Sequence, residues 1–325
     1  MDLRWADESA TLAPSMVIDC HVHLYPDAAL ADPAGWAAAR GEVRWAAMVA
    51  PRTDGTSLQG WANSERLLRD MDTAGVDRAV LLGWYWQKAA TCAEQNRFLA
   101  ECVRRHPDRL EAFATFHPGP GEAAVQGELE RCRSEGLSGL GELNPPAQGF
   151  RYDDPGLATA LALAAEWHWP VNLHVTEAGG RDYPGRVETP LGELVALAGR
   201  HPAVRFVFAH WGGLLPFFEL NRAVARPLAN VFYDTAASPL LYRPGVFRLV
   251  AAAVGAERVL FGSDYPLRLY PRREAEPGFA GFLAEVRGAG LDPTECAAIL
   301  GGNWQRLRRD VDAGRNSLSP TDGAG

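Results

Sequence analysis

Lysine is nearly absent from this chain. Of 32 basic residues only Lys88 is lysine and the rest are arginine, so any chemistry that needs a lysine is confined to one position. Cysteine is sparse as well. Cys20, Cys92, Cys102, Cys132 and Cys296 are five, an odd number, and none forms a C-x-x-C pair, which argues against a zinc knuckle or a dithiol redox motif and fits reduced thiols in a cytoplasm. No apolar run approaches the ~18 residues that a membrane span needs. The opening stretch, MDLRWADESATLAP, carries acidic residues and no continuous apolar core, so it does not read as a signal peptide. Phosphate loops of the G-x-G-x-x-G or G-x-x-x-x-G-K-[ST] kind are missing, and so is a G-x-S-x-G nucleophile elbow. A net charge of -8 argues against nucleic acid as a partner. What remains is a cytoplasmic protein, without a membrane or nucleic-acid partner, acting on a small molecule.

The chain does hold enough apolar residues for a substantial core, 47% of 325. Short β-rich runs recur at 17–23, 77–84, 110–118, 137–145, 170–177, 204–213, 230–238 and 259–266, with Ala/Leu/Arg-rich helical stretches between most of them. Eight strands alternating with helices predict an α/β fold, a (β/α)8 barrel, with an open doubly wound sheet as the runner-up. Two helices end in R-H-P, where proline stops them, and His106 and His201 are accordingly read as structural. The chain is expected to form one domain over 1–312, with a disordered tail at 313–325. Residues 25–62 are too long for an ordinary strand-to-helix connection and suggest a lid over the barrel mouth.

Histidine is scarce, eight in all, yet His21 and His23 sit one residue apart at the end of the first run. Strand alternation places both on one face, together with Asp19, and turns Cys20 away. His174 ends the fifth run, His210 the sixth and Asp264 the eighth, so these side chains converge on the C-terminal mouth where barrel enzymes keep their sites. Neutral imidazoles and a carboxylate are the donor set for a zinc ion with an open position. A metal in such a site activates water, Asp264 could pass on its proton, and His210 could polarise a carbonyl.

In IDCHVH, VNLHV, FAHWGG, FGSDYP and ILGGNWQRL, over residues 17–307, the sequence resembles the amidohydrolase superfamily. The branch it is most similar to holds amidohydrolase-related hydrolases and metal-dependent decarboxylases such as aminocarboxymuconate semialdehyde decarboxylase. The resemblance implies a divalent metal, commonly zinc, on His21, His23, His174 and Asp264, with His210 beside the reacting group. Relatives also suggest a homodimer. A carboxylated lysine bridging two metals from strand four is excluded here. Glu142 stands on that strand instead, either as a ligand that would admit a second metal or as a residue orienting a ligand. Trp84, Arg181 and Trp211 are candidates for substrate binding, Arg181 together with Tyr183 for a substrate carboxylate, and Trp84 with Trp86 as an aromatic wall. The leading expectation is a metal-dependent hydrolase of a lactone, amide or ester. Its alternative is a nonhydrolytic decarboxylase of an aromatic or unsaturated acid, since both reactions need one Lewis acid, one proton shuttle and one oxyanion partner. A barrel that binds without turnover is the third reading, disfavoured because every ligand position is filled.

Overall fold

The computed structural model describes residues 16–52, 55 and 57–309. The expected disordered tail and the opening stretch read as lacking a signal peptide lie outside the described residues. Each of the eight apolar runs contains a strand: β1 (Ile18–His23), β2 (Arg78–Leu82), β3 (Leu110–Ala112), β4 (Leu140–Leu143), β5 (Val171–Leu173), β6 (Phe206–Phe208), β7 (Val231–Asp234) and β8 (Val259–Leu260). All pairings are parallel and sequential, β1 to β3 in one stretch and β4 to β8 in another. Two seams close the ring. Ala114 bridges to Leu140 and donates its N–H to Gly139, while Val22 bridges to Tyr265 and the Cys20 and His23 amides donate to Phe261 and Tyr265 at 2.9 and 2.7 Å. The result is a closed (β/α)8 barrel.

The helices form where the sequence supplies their ends. Asn63 accepts from the Arg66 amide to start Ser64–Ala74, and Gly75 ends it in the left-handed conformation at φ 72°. Asp154 and a first-turn proline start Pro155–Glu166, and Asp292 with Glu295 makes a reciprocal cap on Pro293–Ala297. Ala89–Arg105 and Leu191–Arg200 stop at His106 and His201 ahead of proline, as the R-H-P pattern predicts.

Two apolar layers hold the barrel. Outward strand residues such as Ala79, Leu81, Phe206 and Tyr233 pack on the helices, and inward ones such as Val80, Leu82, Phe113, Val207 and Leu260 fill the ring. Trp304 and Leu307, from the last described helical stretch, join this inner cluster. Opposite them, residues 25–62 carry three short helices, Asp27–Ala31, Pro33–Arg40 and Val43–Val49. Their Trp36, Trp45 and Val49 form a separate apolar cluster with Tyr25, Trp84, Tyr85 and Trp86 at the end of β2. Polar contacts fix the same segment. Buried Glu42 accepts from the Gln87 and Lys88 amides at 2.8 and 3.1 Å, where Ala89–Arg105 begins, and Arg40 makes a two-point contact with Glu94.

The strand alternation expected at β1 is broken. Its register with β2 shifts between Asp19 and Val22, which is a bulge. Asp19 pairs with Ala79 of the outer layer, whereas Cys20 belongs to the inner cluster. A methyl on Gly262 would meet both the Cys20 sulfur and His21 Cβ. Cys20 therefore faces the same side as His21, and Asp19 the other, which corrects the alternating assignment for both.

Candidate metal centre

His21 and His23 end β1 with both rings at the barrel mouth, their Nε2 atoms 3.2 Å apart. Asp264 follows β8 and Glu142 lies inside β4. Asp264 Oδ1 is 3.9 and 3.6 Å from the two Nε2 atoms, and Glu142 Oε2 is 3.8 and 3.4 Å from them. His174 and His210, just beyond β5 and β6, approach the other Glu142 oxygen at 2.9 and 3.6 Å. The atoms fall into two overlapping sets that could each hold an ion, His21, His23 and Asp264, and His21, Glu142 and His210.

Neighbouring acceptors set which nitrogen faces inward. His21 Nδ1 donates to Asp234 Oδ2 at 2.8 Å, His23 Nδ1 to the Leu82 carbonyl at 3.3 Å and His210 Nδ1 to the Ala236 carbonyl at 3.1 Å. Each leaves Nε2 for the centre, the arrangement in which an outer acceptor fixes a ligand imidazole. His174 is turned the other way. Its Nδ1 lies against Glu142 and is 3.2 Å from His210 Nε2, while its Nε2 meets Thr176 Oγ1 at 3.2 Å. It stands outside both candidate sets, which share His21, but touches Glu142 of the second.

Asp234, at the end of β7, is the residue that motif reading passed over. Fully buried, it accepts from His21, from Asn172 Nδ2 at 3.0 Å, and from the His210 and Ala236 amides at 3.0 Å each. The signal was present, a strand-end aspartate in VFYDTAA. His210, Trp211 and Asp264 adopt φ of 56°, 59° and 68°, left-handed values that cost a residue with a side chain about 1–2 kcal/mol and that cluster at functional sites. Their direction thus comes from the turn after the strand and not from strand alternation.

Burial and charge compete throughout the cluster. Burial opposes a charged His21, yet the carboxylates of Asp234 and Glu142 outweigh it and raise the ring to about 10. For His210 burial is likewise overcome, by the Glu142 hydrogen bond and the Asp264 charge, to about 9. Glu142 and Asp234 stay below the ordinary carboxylate range despite burial, because the imidazoles face them. For Asp19 burial outweighs the hydrogen bonds from Ser263 and the His21 amide and pushes it up to about 7.

The candidates for substrate contact divide. Trp84 borders the centre, its ring 5.5 Å from His23 and stacked on Tyr85 at 4.1 Å, and Tyr85 in turn lies 5.1 Å from His174. Trp86 does not share this wall, being fully buried among Trp36, Trp45 and Tyr25. Trp211 is a correction too. It is wholly buried, donates its indole N–H to Ser238 at 2.9 Å and packs edge-on against Phe247, which leaves it no face for substrate. Arg181 is exposed on the loop after β5, and the guanidinium that the loop buries belongs to Arg186.

Imidazole and carboxylate donors converging within ligand reach fit a divalent ion of the zinc or manganese kind. Proteins of similar sequence or fold include decarboxylases and a hydratase. A gamma-resorcylate decarboxylase from a Polaromonas species is 24% identical over 257 residues, covering 62% of this chain and 76% of its own. The fold matches 5-carboxyvanillate decarboxylase from Novosphingobium aromaticivorans, a complex with manganese and 4-hydroxy-3-methoxy-5-nitrobenzoic acid, at a TM-score of 0.70 and 17% identity over 91% of this chain and 96% of that one. It also matches 4-oxalomesaconate hydratase from Rhodopseudomonas palustris at 0.63 and 20% identity, over 93% and 98%. Residues 18–307, from the first strand to the inner plug, match the amidohydrolase family, and this chain belongs to it.

Proposed function

We propose that the protein is a metal-dependent decarboxylase of an aromatic carboxylic acid, in place of the hydrolase that the motifs alone favour. The observation that carries this reading is the aromatic wall. Trp84 and Tyr85 stack on one another and reach His23 and His174, so a planar ring resting there would lie beside the donor cluster. The decarboxylases among the similar proteins support it.

His21, His23 and Asp264 would hold the metal, with Glu142 and His174 completing its surroundings. When bound, a divalent ion there supplies a Lewis acid that draws electron density from a substrate oxygen. Trp84 and Tyr85 hold the ring flat and exclude water from one face. Asp264 takes a proton from water and passes it to the ring carbon that bears the carboxylate, leaving hydroxide. The bond to the carboxylate carbon then breaks, its electron pair restores the ring and uncharged carbon dioxide leaves. His210, held by the Ala236 carbonyl with Nε2 turned to the centre, stabilises the negative charge that develops on oxygen.

The test uses protein loaded in turn with manganese and with zinc, offered 2,6-dihydroxybenzoate and 5-carboxyvanillate. Release of carbon dioxide matched by the arene lacking one carboxylate is expected. Hydrolysis of lactone or amide substrates, with no carbon dioxide from any aromatic acid, would overturn the reading.

Hydrolysis keeps one specific observation in its favour, the second donor set built around Glu142. Metal content per chain before and after Glu142→Gln separates the two. About one ion, unchanged in the variant, is the expected result; about two ions falling to one would favour a two-metal hydrolase.

A further inference from the structure

The loop from His174 to the helix Leu191–Arg200 is tied to the donor cluster. Thr176 Oγ1, which meets the His174 ring, donates to the Val187 carbonyl at 2.6 Å, and the Thr176 amide donates to Thr189 Oγ1 at 3.1 Å. On the other side a methyl on Gly185 would meet Met48, whose sulfur accepts from the Tyr85 hydroxyl. Arg186 lies between these two anchors.

Its side chain is only 10% exposed and its Nε is buried with no hydrogen-bond partner. Nη2 donates to the Glu177 carbonyl, three residues past His174, at 2.9 Å. The facing carboxylates, Asp182 and Glu188, are 3.9 Å away and almost wholly in water, too distant for hydrogen bonds and well screened. Burying an incompletely bonded guanidinium is costly, and that cost is offset when an anion arrives. Glu142, Asp234 and Asp264 already face the donor cluster, so a second negative group on a substrate is better met by a cation set apart from them.

We infer that Arg186 binds a second anionic group of the substrate, one retained through the reaction, which makes the substrate an aromatic diacid and not a monoacid. This rests on the decarboxylase reading. The departing carboxylate is excluded as its partner on energetic grounds. Loss of carbon dioxide removes that charge, so a guanidinium bound to it would stabilise the ground state more than the transition state and slow the reaction. A retained carboxylate keeps its charge, and the interaction deepens binding without opposing turnover.

The experiment compares 4-hydroxyisophthalate with salicylate, which lacks the carboxylate opposite the hydroxyl, on manganese-loaded wild type, Arg186→Met and Arg186→Lys. Initial rates give kcat and KM, and tryptophan quenching gives affinity independently of turnover. Wild type is expected to prefer the diacid, and Arg186→Met to cut that preference roughly 10- to 100-fold, the value of one or two charge-assisted hydrogen bonds, with the loss in KM. Arg186→Lys recovers part of it. Equal affinity for both acids in wild type, an unchanged preference in Arg186→Met, or a rise in kcat on removing the guanidinium overturns the inference alone. A diacid preference seen by quenching and lost in Arg186→Met, with no carbon dioxide from either acid, supports the anion site and overturns the decarboxylase reading instead. Matching metal content and thermal melting of the variants exclude a collapsed loop.

Discussion

The proposed metal site needs His21 Nε2 free for an ion, and Asp234 keeps it so by holding the other nitrogen, while the same aspartate also pins the His210 backbone. One carboxylate therefore sets two of the imidazoles. Asp234→Asn keeps the volume but leaves one accepting oxygen for donors that now meet two, and metal affinity is expected to fall about 10- to 100-fold, read by competition with a chelating dye. Protons compete for the same nitrogens. With His21 raised to about 10 and His210 to about 9, both rings are charged in the metal-free protein at neutral pH. An ion must expel a proton from each ring it binds, so apparent affinity should climb from about pH 6 to about pH 8 and uptake should acidify a weakly buffered solution. A pH-independent affinity would contradict this. The histidines and Asp264 were legible as a set because each ends an apolar run in a chain poor in histidine. Asp234 was not, since it does its work through His21, and nothing in a linear pattern says which ring it touches.

At the scale of elements, the eight strands could be counted from the apolar runs, but their ends could not. β5, β6 and β8 stop short of His174, His210 and Asp264, and the last two are aimed by left-handed turns. The bulge in β1 is a similar case, because alternation is a property of paired strands and the register shift depends on β2 and on the chain after β8. Gly262 records the closeness of that approach. A Cβ there would stand 2.7 Å from His21 Cβ, so Gly262→Ala is expected to cost about 1–3 kcal/mol in urea denaturation and to lower metal content by displacing the ligand strand. Full stability with full metal content would show that β1 can yield. Trp211 misled for the reverse reason. It directly follows a site histidine in sequence, but the turn carries its ring to Phe247.

At the scale of the whole molecule, the described residues form a ring plugged at one end, with the helices of 25–62 packed on the end of β2 at the other. Trp304 and Leu307 fill the end away from the donor cluster, against Ile18, Cys20, Val80 and Phe113. Trp304→Ala should cost about 3–5 kcal/mol, measured as a shift of the urea midpoint, because the cavity would open inside the ring where the strands cannot collapse. The barrel class was readable from count and length, whereas the packing of aromatic side chains from 25–62 on the end of β2 was visible only as an overlong connection. Its attachment gives the scarcity of lysine a practical use. Lys88 is exposed at the seam, its amide on Glu42 and its Cε 3.3 Å from where a Cβ on Gly41 would stand. With the α-amine blocked, an amine-reactive fluorophore would thus report, on the unmutated protein and from one lysine side chain, whether 25–62 parts from the barrel when an aromatic acid enters.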